Sequence, residues 1–183
     1  MHGLIFHAFR SFLASGYGSA TDRIWADAAA YDVTQAHPDE DFLELVERAA
    51  TATGLSPDDL LRRFGEFAAM RMFADLYPDY YRQSGGARAF LLSVEDHIHA
   101  LVRRAVPDAQ PPRLHAMPLG DRGVAITYSS ERQLCNLLEG LVRGTARFYE
   151  EEITLEHPQC MLRGAVACAF FVDIRSGARA ASA

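Results

Sequence analysis

The sequence predicts an α+β fold, with a helical lobe first and a four-stranded antiparallel sheet, interrupted by one inserted helix, last. Two observations carry this reading. Apolar residues recur at three- and four-residue spacing through roughly the first 105 positions, and strand-like runs replace them from Pro112 onward. Gly and Pro also stand where elements should end. A length of 183 residues suits one domain over 1–183, divided into a helical part over about 1–60, a second part over about 61–174 and a frayed tail at 175–183.

Leu4, Ile5, Ala8, Phe9 and Phe12 lie at helical spacing over 2–15, and Gly16 and Gly18 stop that helix. A short helix is expected over 20–30. Pro38 with Asp39, Glu40 and Asp41 opens the next, which buries Phe42, Leu45, Val46 and Ala49 and closes at Gly54. Ser56-Pro57-Asp58-Asp59 is a helix start with an N-cap serine, proline at N1 and acids in the first turn. That helix should run through Phe64, Phe67 and Met70 towards Pro78. After the turn Ser84-Gly85-Gly86, a helix is expected over 87–105 with Phe90, Leu91, Val94, Ile98, Leu101 and Ala105 as its apolar stripe. Strands follow at 112–118 and 123–128 around Gly120-Asp121-Arg122-Gly123, then a helix at 131–148 and strands at 151–156 and 161–173.

The formal charge of -6 provides no basic field for nucleic acid or anionic lipid, and all 18 basic residues are Arg. No apolar run reaches the roughly 18 residues of a membrane span. The N-terminal segment lacks a cationic stretch and a small-residue cleavage site, so a cytoplasmic protein is expected. Three cysteines, an odd count, argue against a disulfide framework and for thiols or metal.

The most informative stretch is Tyr128-Ser129-Ser130-Glu131-Arg132. It sets a phenol, a hydroxyl and a guanidinium at i, i+2 and i+4 where a strand runs into a helix. Such donors can clamp two carboxylates, the guanidinium as a planar fork and the hydroxyls as directed donors. As plain structure, Tyr128 ends a strand and Ser130 caps the next helix, which leaves Arg132 unexplained.

Upstream lie Val94-Glu95-Asp96-His97-Ile98-His99 and Val106-Pro107-Asp108-Ala109-Gln110-Pro111-Pro112. Together these segments resemble the H-NOX family, the haem domains that sense nitric oxide in bacteria and in soluble guanylate cyclase. The resemblance runs from Met1-His2-Gly3-Leu4-Ile5-Phe6 to about Asp173. It implies haem b buried between the two lobes, with Tyr128, Ser130 and Arg132 on its propionates. Pro112, otherwise a strand-entry proline, corresponds to the residue that presses the porphyrin out of plane.

The iron ligand has two candidates. Helical periodicity puts His97 beside the apolar stripe and His99 away from it. The family register selects His99, eight residues before Pro107. His99 is the expected axial ligand and His97 the rival.

Family members that hold O2 carry a Tyr five residues after the clamp Arg and three before a Gly. Here Leu137 stands there, between Arg132 and Gly140. The remaining wall is expected from Ile5, Phe9, Ala68 or Ala69, Phe73 and Leu141, none of them a hydrogen-bond donor. Bound O2 gains from a buried donor and NO far less, so the departure favours NO. CO is the other expected gas ligand.

His157 and Cys160 precede Cys168 on the last two strands, and H-x2-C-x7-C across a hairpin can bring three ligands to one point. Cys135 would complete a Cys3His tetrahedron for zinc. Three buried small apolar residues are the plainer reading, and some H-NOX members carry such a structural zinc.

The resemblance thus implies a ferrous haem sensor of NO. It would regulate a separate partner, a histidine kinase or a cyclic-di-GMP enzyme, by breakage of the iron-histidine bond and relaxation of the haem. No enzyme is expected, since Ser129 and Ser130 lack a nucleophile elbow. The rivals are an O2-binding haem protein and a thiol or zinc redox sensor on the same fold.

Overall fold

The computed structural model describes residues 1–106 and 108–177. The expectations at Pro107 and for the chain end beyond Gly177 lie outside the described residues. Helix α1 (Gly3–Tyr17) begins where the His2 ring accepts the Leu4 N–H, and it continues through Gly16 to end before Gly18. Helix α2 (Ser19–Trp25) follows. Helix α3 (Asp39–Thr53) opens on its three acids, favoured by the helix dipole, and closes on left-handed Gly54 at φ 72, whose N–H returns to Ala50 O. Helix α4 (Pro57–Phe67) has the expected start, with the Ser56 hydroxyl accepting the Asp59 N–H.

The run towards Pro78 is not one α-helix. A π-helical turn at Ala68–Phe73 leads into α5 (Ala74–Leu76), and an unanticipated α6 (Pro78–Ser84) starts with Pro78 in its first turn. The 87–105 helix has the expected span, but α7 (Ala87–Val94) and α8 (Ala100–Ala105) are joined by a second π turn, Glu95–His99.

Strands β1 (Arg113–Leu119) and β2 (Gly123–Ser129) form the expected hairpin. Helix α9 (Cys135–Phe148) starts later than 131 because Gln133 turns the chain at φ 50. Strand β3 (Glu151–Gln159) extends past 156, whereas β4 (Cys168–Ser176) begins after 161 and takes in Arg175, the first residue of the expected tail. Residues Met161–Arg163 form a 3-10 turn instead of a strand. The sheet order is β1-β2-β4-β3, antiparallel throughout.

Alternation on β2 and β4 turns Val124, Ile126, Phe170 and Val172 inward, against α9 and α7. In the helical lobe, Phe6, Phe9, Phe12, Phe42 and Phe64 form an aromatic core of edge-on and tilted pairs. Helices α4 and α9 join the two regions in backbone contact. A Cβ on Gly140 would stand 2.1 Å from Arg62 O, and one on Gly65 2.4 Å from Leu137 O, so only glycine permits this crossing. Arg62 then reaches across to Asn136 Oδ1 at 2.8 Å and to Glu139 at 3.1 Å.

Candidate functional site

A largely apolar cavity of about 250 Å³ lies between the two core regions. Its walls draw on α1, the first π turn, α7 and the second π turn, β1, β2 and α9. Of the residues expected to hold a cofactor, Ile5, Phe73, His99, Pro112, Tyr128, Ser130, Arg132, Leu137 and Leu141 all line it. Phe9 does not: it is fully buried in the aromatic core, packed on Phe42 and Phe64, one turn beyond the α1 residues Leu4 and Ile5 that face the cavity. Ala69 lines the cavity and Ala68 belongs to the core.

The π turn sets the two histidines in different surroundings. Such a turn inserts about one extra residue, which rotates everything after it by roughly 100°. The apolar stripe accordingly leaves Leu101, which is exposed, and continues from Ile98 to Val102 in the cavity wall. His99 moves inward with them. Its side chain is 15% exposed, and its Nδ1 lies 2.8 Å from Glu95 Oε2, so Nε2 is the ring nitrogen left for a metal. His97 points outward, with Nδ1 3.0 Å from Ser93 O. Burial pulls the His99 pKa below its ordinary value, with Glu95 opposing, so the ring favours the neutral form a metal ligand needs. Burial works against the Glu95 charge, but His99 and Arg103 outweigh it and hold the carboxyl below its usual range.

Elsewhere in the cavity wall, Tyr128 Oη accepts the Leu134 N–H at 3.0 Å. Burial pushes the phenol up to about 12, which keeps its proton available for donation. Ser130 stands beside it in the cavity wall. Arg132 gives Nη1 to Gln110 O at 2.6 Å, in the loop that carries Pro111 and Pro112. Its Nε is 2.7 Å from Asp39 Oδ1, and against the opposing effect of burial this pair holds the Asp39 carboxyl below its usual range. These features fit haem: an apolar slot, one imidazole nitrogen free on one wall, and phenol, hydroxyl and guanidinium donors at one rim for two carboxylates.

The structure also brings in residues the spacing did not indicate. Tyr77, Tyr81 and Thr145 face the cavity. Tyr81 donates its hydroxyl to Ala69 O at 3.0 Å, and burial raises its pKa. Glu95 was detectable in principle, as an acid four residues before His99 on a helix. Asp39 was not, because it lies on α3, far from Arg132 in the chain.

Below the sheet, the sulfurs of Cys135, Cys160 and Cys168 lie within 4.8 Å of one another, with Cys135 and Cys160 at 3.6 Å. Burial raises the Cys135 and Cys168 thiol pKa values, with Cys160 adding to both, so these two favour the neutral thiol until a cation displaces the protons. His157 does not join them. It stacks on Phe170 at 3.9 Å, and the register shift of the edge strand between Glu156 and Gln159, where Pro158 cannot donate, separates its side chain from that of Cys160.

Among curated proteins none matches this chain. The chain is similar to solved structures of an H-NOX protein from Shewanella oneidensis. In the Fe(II)NO ligation state the TM-score is 0.88 at 23% identity, over 96% of this chain and 100% of that one. In the Fe(II)CO state it is 0.87 at 23% identity, over 96% and 99%. The Fe(II) unliganded H-NOX protein from K. algicida gives a TM-score of 0.81 at 24% identity, over 97% and 98%. These likenesses show a shared fold. The family profile for haem-NO-binding domains matches residues 2–157, most of the chain, and with the pocket above it places the protein: the chain belongs to the H-NOX family of haem-based gas sensors.

Proposed function

We propose that the chain is a ferrous sensor of nitric oxide that regulates a separate signalling protein. The observation that carries this is His99, a buried imidazole with Nε2 free, in a cavity where the position expected to hold a donor for O2 is Leu137. His99 is assigned as the axial ligand of haem b. Tyr128, Ser130 and Arg132 would hold the propionates, Pro112 would press on the macrocycle, and Ile5, Phe73, Leu137 and Leu141 would pack around it. Bound haem would supply a ferrous iron able to take NO or CO.

Release of His99 would free the π turn Glu95–His99 from its anchor, while Tyr128, Ser130 and Arg132 would keep their hold on the propionates. The helix α7–α8 is thereby a two-state element, read by a partner that we assign to the histidine kinase or cyclic-di-GMP enzyme class. A coupling of about 1–3 kcal/mol suffices to change partner activity several-fold. Hydrogen exchange across 87–105 with and without NO tests this, together with Pro112→Ala, which should move the gas-free protein part-way to the NO-bound pattern. Unchanged exchange on adding NO would refute this route of signalling.

We assign a second, structural role to Cys135, Cys160 and Cys168 as three zinc ligands, on the strength of their clustered sulfurs. His157 becomes the fourth ligand only by turning away from Phe170.

A further inference from the structure

We propose that Glu95 is a positioning residue for His99, setting both the orientation of its ring and its strength as an iron donor. The inference rests on His99 being the axial ligand. A ligating histidine takes its tautomer and basicity from whatever accepts its second ring proton. Here that acceptor is a carboxylate at 2.8 Å. His97, two residues earlier, bonds only a neutral backbone carbonyl, at 3.0 Å. A charged acceptor makes the shorter and stronger bond, and it leaves more electron density on Nε2.

The carboxylate is itself held from three sides. Oε2 receives the His99 Nδ1–H and, at 3.4 Å, the Leu114 N–H of β1, while Oε1 meets Arg103 Nη2 at 2.7 Å. An exposed i,i+4 pair would contribute little. This one faces the cavity, with His99 15% and Glu95 30% exposed. Because the same oxygen also meets β1 close after Pro112, Glu95 links the ligand helix to the strand entered through the residue expected to press on the porphyrin. Glu95 therefore favours the state in which His99 stays bound to iron, and it raises the NO-driven cost of releasing that ring.

The test uses haem-loaded wild-type protein, Glu95→Gln and Glu95→Ala. Glu95→Gln keeps an acceptor oxygen but removes the charge. It should retain haem, lower the frequency of the ferrous iron-histidine stretch in the resonance Raman spectrum and raise the midpoint potential. Glu95→Ala should also weaken haem retention by about 10- to 100-fold. Circular dichroism checks the fold of both variants, and if Glu95→Ala does not fold, Glu95→Gln alone decides. A stretch and a potential that match wild type in the folded variants would overturn the proposal. If wild-type protein shows no iron-histidine stretch, or His99→Gly leaves it intact, the ligand assignment fails and the role of Glu95 falls with it. If the stretch is present and lost in His99→Gly but unmoved in Glu95→Gln, only the role of Glu95 fails.

Discussion

His97 and His99 stand two residues apart on one π turn, yet only His99 faces the cavity, with its ring bonded to Glu95 and not to the helix backbone. Ligation should follow that geometry. His99→Gly should yield haem-free protein, or haem retained only with added imidazole, and His97→Ala should keep the wild-type spectrum. Loss of the spectrum in His97→Ala with retention in His99→Gly would reverse the assignment.

Leu137 and the cavity residues Tyr77 and Tyr81 set up a second expectation. Tyr81 has committed its proton to Ala69 O, and Leu137 has none to give. Reduced protein should therefore bind NO and CO but form no lasting oxy complex in air. Tyr77→Phe should leave that behaviour unchanged, and Leu137→Tyr should introduce O2 binding by supplying a donor worth about 1–3 kcal/mol. A stable oxy spectrum in the unmodified protein would refute NO selectivity, and its loss in Tyr77→Phe would identify the donor.

The thiol cluster should hold about one zinc per chain. Cys160→Ala should release it and lower stability, because the binding energy of a structural zinc is folding energy. His157→Ala should do so to a smaller extent, since its ring lies on Phe170 and away from the sulfurs. Metal analysis of carefully reduced protein checks this, and finding no zinc would leave the three cysteines as core residues.

Gly140→Ala should destabilise the fold by about 1–3 kcal/mol or more, because the new methyl group would collide with the Arg62 carbonyl across the α4–α9 contact. Urea unfolding measures the difference. Gly16→Ala is the control: nothing lies within 4 Å of a Cβ there, and the residue is inside α1, so a neutral or slightly stabilising effect is expected.

The sequence alone determined what depends on short spacing. The helical lobe, the hairpin of β1 and β2, the cap at Ser56 and the Tyr128, Ser130, Arg132 triplet were all legible, because each is set within a few residues of chain. The choice of His99 needed a family register, since periodicity assumes an unbroken α-helix and favoured His97. Only the tertiary structure shows the π turn that moves the inward face from Leu101 to Val102. It alone places Phe9 in the aromatic core, Asp39 against Arg132, Tyr77 in the cavity wall, and His157 on Phe170 away from the thiols. The physical reason is common to these cases. Inserted residues in a helix and register shifts in a strand accumulate along the chain, so which side chains meet is decided by packing between elements and not by the local pattern that formed each one.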